Sequence, residues 1–195
     1  MFTGIVRKLA KIKKIATKDG SLFIFIEAPG EWKIKEGDSI SVNGVCSTVK
    51  KITKGYFQIE YMPETIKKTT AGSFQKGQKL NLEKSLTLNQ LLDGHLVQGH
   101  IDTRGKIIEI KKIKQSKVMK IRILQKFMSF IAEKGSVSVD GISLTVVDTG
   151  KDWFSISLVD YTLKNTNLGT IKKGSEVNIE TDILAKYIYK LLKKK

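Results

Sequence analysis

The hydrophobic pattern of the chain comes in short pieces. Residues 22–27, 39–42, 47–52 and 57–60 are rich in β-branched and aromatic side chains, and turn residues separate them, most clearly Asn43-Gly44 and, later, Asp140-Gly141. Such pairs favour two-residue hairpins, so the pattern predicts antiparallel strands joined by tight turns. The pattern also repeats. Residues 39–49 (SISVNGVCSTV) align with 136–146 (SVSVDGISLTV) at an offset of 97, with six of eleven positions identical. The same offset pairs Phe57 with Phe154, Ile59 with Ile156, Thr65 with Thr162, Thr69 with Thr166, Gly72 with Gly169 and Gly77 with Gly174. It then pairs Leu80-Asn-Leu-Glu83 with Val177-Asn-Ile-Glu180. An offset held without a gap over this span means that the two halves share a backbone. At the start of each half, Phe2-Thr-Gly-Ile-Val6 faces Val97-Gln-Gly-His-Ile101 at an offset of 95.

About six strands in each half suit a small closed barrel, which removes exposed sheet edges. The expected fold is therefore all-β, with two tandem homologous six-stranded antiparallel β-barrels over residues 1–93 and 94–182. Short helices are expected to interrupt the barrels, the better case being residues 124–134, where Phe127, Met128 and Ile131 recur at helical spacing. From residue 183 to 195 the spacing changes. Ile183, Leu184, Tyr187, Ile188, Leu191 and Leu192 form one stripe, with Lys186, Lys190, Lys193, Lys194 and Lys195 on the other side. This predicts a C-terminal amphipathic helix that packs on its own barrel or meets copies from other subunits.

Charge alters the picture little. The net charge of +16 would attract phosphates, but the lysines are scattered, the only arginines are Arg7, Arg104 and Arg122, and no nucleic-acid-reading motif accompanies them. Solvated lysine faces explain the charge, and no nucleic-acid partner is expected; a basic nucleic-acid-binding barrel is the rival that salt-sensitive binding would reveal. The N-terminal residues carry lysines instead of an apolar export segment, and the apolar runs are too short to span a bilayer. A cytoplasmic protein with no membrane contact is expected. Cys46 is the only cysteine, which excludes an internal disulfide and a multi-cysteine zinc site.

The two halves differ most where their chemistry is richest. His95 and His100 flank the glycine-rich junction Gly94-His-Leu-Val-Gln-Gly-His-Ile101, at a spacing of five that does not suit a helical metal pair. No metal is expected. His95 reads as a structural polar residue, but His100 stands opposite Ile5 in the first half, so the shared backbone does not require a histidine there. Its imidazole could act as a base near neutral pH. Cys46 stands opposite Ser143, and each precedes a threonine, Thr48 or Thr145, by two residues. Strand alternation puts each pair on one face, as a pocket wall would require.

Taken together, Met1-Phe-Thr-Gly-Ile-Val6, Val42-Asn-Gly-Val-Cys-Ser-Thr-Val49, Gly94-His-Leu-Val-Gln-Gly-His-Ile-Asp102, Asp140-Gly-Ile-Ser-Leu-Thr-Val146 and Thr166-Asn-Leu-Gly169 resemble, in order and across the whole chain, the motif set of the α-chain type of riboflavin synthase. The resemblance implies two lumazine-binding barrels and a C-terminal helix that joins a homotrimer. It implies a cofactor-free dismutation of two 6,7-dimethyl-8-ribityllumazine molecules per active site, and lumazine synthase as a possible further associate. It places the active site between the N-terminal barrel of one subunit and the C-terminal barrel of its neighbour.

Carried over residue by residue, the resemblance assigns substrate binding in the first barrel to Gly4, Ile5 and Val6, to Cys46, Ser47 and Thr48, and to Glu60, Tyr61, Met62, Pro63, Glu64 and Thr65. In the second it assigns Gly99, His100 and Ile101, then Lys134, then Ser143, Leu144 and Thr145, then Ser157, Leu158, Val159, Asp160, Tyr161 and Thr162. For catalysis it points to His100 as the group that helps remove a proton from the ring methyl. Ser39, Cys46 and Ser143 would position reacting atoms, Phe2 would shape the pocket, and Asp182 would orient or relay protons. Ala71 and Asp160-Tyr161 depart from the family pattern, and Tyr161 stands opposite Glu64, so the second pocket is expected to hold its ribityl chain by a different contact. Lumazine- or flavin-binding proteins without activity share the resemblance but lack parts of this catalytic set, which is retained here.

Overall fold

The computed structural model describes residues 1–193. The first six strands are β1 (Lys8–Lys18), β2 (Ser21–Glu27), β3 (Ser39–Val42), β4 (Val45–Thr53), β5 (Tyr56–Tyr61) and β6 (Lys79–Lys84), and they close in the order β1-β2-β5-β4-β3-β6. The second six are β7 (Thr103–Ile113), β8 (Ser116–Arg122), β9 (Ser136–Val139), β10 (Ile142–Thr149), β11 (Trp153–Leu158) and β12 (Glu176–Thr181), closed in the equivalent order. The two antiparallel six-stranded barrels expected from the repeat are thus present. Strand β1 bulges between Ile12 and Lys14, and β7 bulges between Ile107 and Glu109. A second matched pair lies between Val49 and Lys51 and between Val146 and Asp148. An extra residue bends and twists a strand, and bends at equivalent places let both sheets close.

Each barrel has its own apolar interior. In β5, Phe57, Ile59 and Tyr61 point inward in strict alternation, beside Ile24 and Ile26 of β2 and Leu80 and Leu82 of β6. The second interior centres on Ile107, Met119, Ile121, Phe154, Ile156 and Ile179. Strands β6 and β12 break the alternation, because Asn81 and Glu83, like Asn178 and Glu180, are buried on the outward face as well. A strand covered on both faces must lie between two bodies, and here the second body is the other half of the chain.

Reciprocal contacts at equivalent positions join the halves. The Asn43-Gly44 and Asp140-Gly141 hairpins both have positive φ at their two central residues, and they meet so closely that a Cβ on Gly44 would lie 2.7 Å from the Gly141 nitrogen. The Asn178 side chain donates to Asn43 O and accepts from Thr70 N–H, at 2.9 and 2.8 Å. Asn81 does the same to Asp140 O and Asn167 N–H, at 2.9 and 2.8 Å. Phe2 and Val97 exchange two main-chain hydrogen bonds, so residues at one repeat position face each other across an approximate two-fold axis.

Short helices do interrupt the barrels, but after the fifth strands, as α1 (Pro63–Lys68) and α2 (Asp160–Asn165). Pro63 at the first helical position presets φ for α1. Residues 124–134 form only a 3-10 turn at Gln125–Phe130, which corrects the expected helix: Phe127 and Met128 pack over the barrel end and the chain then returns to strand at Ser136. The connection from β8 to β9 also holds the two extra residues that change the repeat offset from 95 to 97. The tail forms α3 (Ile183–Leu192), capped by Asp182. Lys194 and Lys195, part of the expected tail helix, lie outside the described residues.

Asp140 accepts from Asn178 N–H and from the Asn167 amide, both at 2.7 Å, and burial pushes its carboxyl up to about 7 from 3.8. Between those values the native state binds more protons than the unfolded chain, so this group's contribution to stability is full below about pH 4 and is lost as pH rises through about 7. Asp140→Asn, which copies Asn43 of the first half, should flatten the fall in unfolding free energy measured by denaturant titration across this window. An unchanged slope would contradict the assignment.

Candidate active site

Cys46 and Thr48 of β4 point away from the barrel interior, because Val45, Ser47 and Val49 take the inward positions. In β3, Ser39 lies opposite Thr48 and Ser41 opposite Cys46, so these four side chains share the outer face. The glycine-rich segment that opens the second half lies over this face. Cys46 N–H donates to Gly99 O at 2.9 Å, and a Cβ on Gly99 would sit 2.6 Å from the Cys46 Cβ, so only glycine, at φ +82, permits the contact. The outcome is a cavity of ≈ 180 Å³ lined by Cys46, Gly99, His100 and Ile101 with Glu64, Thr65, Lys68 and Thr69. Lys68 pairs with Glu64 at 2.9 Å.

The equivalent face of the second barrel is covered by the start of the first half. Ser143 N–H donates to Gly4 O at 2.7 Å, with Gly4 at φ +77, and Val6 packs against the second core while Ile101 packs against the first. The segments are exchanged. Gly4, Ile5 and Val6 belong with Ser143 and Thr145, and Gly99, His100 and Ile101 belong with Cys46 and Thr48, which reverses the grouping by half expected from the sequence. The physical reason is the bridge between Phe2 and Val97, which carries each leading segment across the axis before its own β1 or β7 begins.

Two carboxylates hold the exchanged turns. Glu83 accepts from Thr3 N–H and Thr3 Oγ1, each at 2.7 Å, and from Gly4 N–H at 3.0 Å. Glu180 accepts from Gln98, Gly99 and His100 N–H at 2.6, 2.8 and 3.0 Å. Burial raises both carboxyls above the ordinary value, and the main-chain donors oppose that rise.

His95 is the residue whose role the sequence concealed. Its Nδ1 lies 2.7 Å from Ser143 Oγ, and its ring is buried. Burial lowers its pKa below 6.5, and the nearby Asp182 carboxylate opposes that shift. Gly94 makes room for the pair, since a Cβ there would lie 2.1 Å from Thr3 O and 2.8 Å from the Ser143 Cβ. Asp182 itself accepts from Leu184 N–H at 2.9 Å as the cap of α3. His100, by contrast, is exposed at the mouth of the Cys46 cavity.

The other candidates divide by orientation. Ser47 and Tyr61 turn inward and bond each other at 2.6 Å, and Leu144 and Leu158 pack with the second core, so only their main chain is available outside. Glu60, Met62 and Pro63 lead into α1, with Glu60 paired to Lys50, and Ser157, Val159, Asp160, Tyr161 and Thr162 occupy the equivalent stretch at α2. Tyr161 is exposed, as is Glu64 at the matching place. Phe2 is fully buried at the junction of the barrels. Lys134 is exposed on a left-handed turn between the 3-10 turn and β9 and joins neither cluster.

Two barrels of one topology, each with an outer wall covered by a glycine turn from the other half, define a protein of the duplicated lumazine-binding class. The lumazine binding domain family matches twice, over residues 3–85 and 98–182. The chain is 42% identical over 196 residues to riboflavin synthase of Actinobacillus pleuropneumoniae, spanning 100% of this chain and 91% of that one. It is 36% identical over 198 residues to riboflavin synthase of Bacillus subtilis, again spanning 100% and 91%. The solved structure of LumP complexed with riboflavin superposes with a TM-score of 0.87 at 28% identity, over 93% of this chain and 99% of that one. LumP complexed with 6,7-dimethyl-8-(1'-D-ribityl) lumazine gives 0.84 at 27% identity over the same shares. The chain belongs to the riboflavin synthase family, whose members are transferases.

The buried imidazole of His95 should titrate below 6.5 when followed by NMR of its ring protons. A midpoint at or above that value would show that burial does not outweigh the Asp182 carboxylate at this ring.

Proposed function

We propose that the chain catalyses the dismutation of 6,7-dimethyl-8-ribityllumazine. One molecule gives a four-carbon unit to another, forming riboflavin and 5-amino-6-ribitylamino-2,4-pyrimidinedione without a cofactor. The observation that best supports this is the pair of equivalent but unlike outer walls on one backbone, Cys46 with an exposed His100 beside a cavity and Ser143 with a buried His95. A reaction between two copies of one molecule needs sites alike enough to bind both and different enough to treat one as donor and one as acceptor. Bringing the two rings together then supplies much of the rate by proximity.

Main-chain amides and hydroxyls along residues 4–6, 46–48, 99–101 and 143–145 suit the uracil-like edge, and the stretches 60–65 and 157–162, with Glu64 and Tyr161 on α1 and α2, suit the ribityl chain. His100 accepts the proton that leaves the acidic ring methyl. Cys46, Ser39 and Ser143 place the reacting atoms or the attacking oxygen, Phe2 fixes the junction against which both pockets are set, and Asp182 steadies the charge state of His95.

The Cys46 and Ser143 walls both lie on outward faces of their barrels, so stacking one bound ring on another calls for a second subunit. Leu184, Tyr187, Ile188, Leu191 and Leu192 of α3 are exposed, while Tyr189 packs edge-on to Phe130 and Lys186 pairs with Asp102 at 2.7 Å. One face of α3 is thus held by its own barrel and the apolar stripe is left for neighbours. This supports a homotrimer with each active site between the first barrel of one subunit and the second barrel of the next, where Lys134 would reach a neighbour's pocket. Among the described residues no helix is long and apolar enough to cross a membrane, and a single thiol is compatible with a cytoplasmic setting.

Purified protein mixed with the lumazine should produce riboflavin, seen by its visible absorbance, and an equal amount of the pyrimidinedione. Stoichiometric binding without turnover would overturn the reading in favour of a binding protein. His100→Ala or Cys46→Ala should lower turnover at least about tenfold, roughly 1.4 kcal/mol of barrier, with circular dichroism unchanged. Leu191→Glu should shift the species seen by sedimentation from three chains to one and lower activity with it; a trimer that survives this change is not held by α3.

A further inference from the structure

Glu83 and Glu180 occupy equivalent places in β6 and β12, and each is buried on the outward face of its strand. Each stands one strand from the wall of its own barrel, Glu83 opposite Ser41 and Glu180 opposite Ser138, but its hydrogen bonds go to the turn that covers the other barrel. Glu83 of the first barrel gathers the N–H groups of Thr3 and Gly4, whose chain then receives Ser143 of the second barrel. Glu180 of the second barrel gathers those of Gln98, Gly99 and His100, whose chain receives Cys46 of the first. Successive N–H groups around a left-handed glycine make a concavity that favours an anion, and each concavity is filled here by a carboxylate of the chain itself.

We propose that Glu83 and Glu180 are positioning residues, each setting the pocket on the barrel to which it does not belong. The proposal rests on the reading above that these pockets hold the two lumazines. All six bonds go to oxygen acceptors, so neutral glutamine cannot replace either residue. Whichever way its amide turns, one NH₂ faces a main-chain N–H, and the turn must shift. Shifting the Gly99 turn uncovers Cys46, and shifting the Gly4 turn admits water to His95 and Ser143.

The test reads the pockets separately and needs no substrate. Cys46 is the only thiol, and its alkylation by iodoacetamide reports the first pocket; the ring titration of His95 reports the second. Glu180→Gln should speed alkylation about tenfold and leave the His95 midpoint in place. Glu83→Gln should move the His95 midpoint up toward the ordinary imidazole value and leave alkylation unchanged. Both reporters moving together in either variant, or neither moving in both, would overturn the proposal. Should Glu83→Gln not fold, Thr3→Val removes the single side-chain donor to Glu83, and it must move His95 without moving Cys46. Glu180→Asp, which keeps the charge but draws it back, serves the other arm and must speed alkylation alone. Absence of riboflavin formation by the unaltered protein would defeat the proposed function and leave this result standing.

Discussion

Two main-chain hydrogen bonds, Ser143 N–H to Gly4 O and Cys46 N–H to Gly99 O, set the terms for the rest of the structure. Each pairs a main-chain donor of one barrel wall with the opening segment of the other half. The bonds form only because Gly4 and Gly99 can hold a positive φ and bring backbone against backbone. From them follow the double burial of β6 and β12, the need for a buried anion behind each turn, and the meeting of the hairpins at Gly44 and Gly141. An interface built so largely from main-chain groups resists change in shape while permitting change in side chains.

That permission is where the two pockets part. Replacing Cys46 by its counterpart Ser143 exchanges a weak hydrogen-bonding group for a good one, and Ser143 has a buried imidazole as its partner. Burial works against a charge on that ring, and the Asp182 carboxylate works for it. At Cys46 the imidazole is in solvent instead, beside an ion pair on α1. Equivalent walls therefore carry an imidazole in different surroundings, buried at Ser143 and exposed at Cys46. Asn43 and Asp140 show the same divergence at the interface, where one half keeps an amide and the other a carboxyl that burial holds partly neutral.

Much of the fold was legible because it depends on local rules. Hairpin residues at positions 43–44 and 140–141, alternating segments such as β5, and the constant offset of 97 together point to antiparallel strands and to two barrels. The apolar stripe of α3 was legible for the same reason. That short helices interrupt the barrels was legible, but the places of α1 and α2 were not, since six residues with mixed polarity carry little periodic signal. Candidate chemistry was legible wherever one half could be compared with the other, as with His100 against Ile5. His95 escaped because the offset of 95 places its counterpart before the first residue, which left nothing to compare. Glu83 and Glu180 were in view as a matched pair, and a charged residue two places after a buried polar one in a core strand was the available signal that both strand faces are covered. The crossing of the leading segments could not be read at all, because an exchange between two like halves leaves the pattern in each half unchanged.

The connection from β6 to β7, residues 85–102, joins two bodies related by a two-fold operation, and that has a consequence for what selection can do with the molecule. Two separate identical chains using these contacts would form an isologous dimer, in which every residue must serve both sides of the interface. Altering one wall of one cavity would alter the same wall of the other. Joining the copies covalently removes this constraint: one position can become histidine while its twin stays isoleucine, with the shared architecture undisturbed. The linker thereby acts as a symmetry breaker, turning one self-complementary surface into two independently heritable ones.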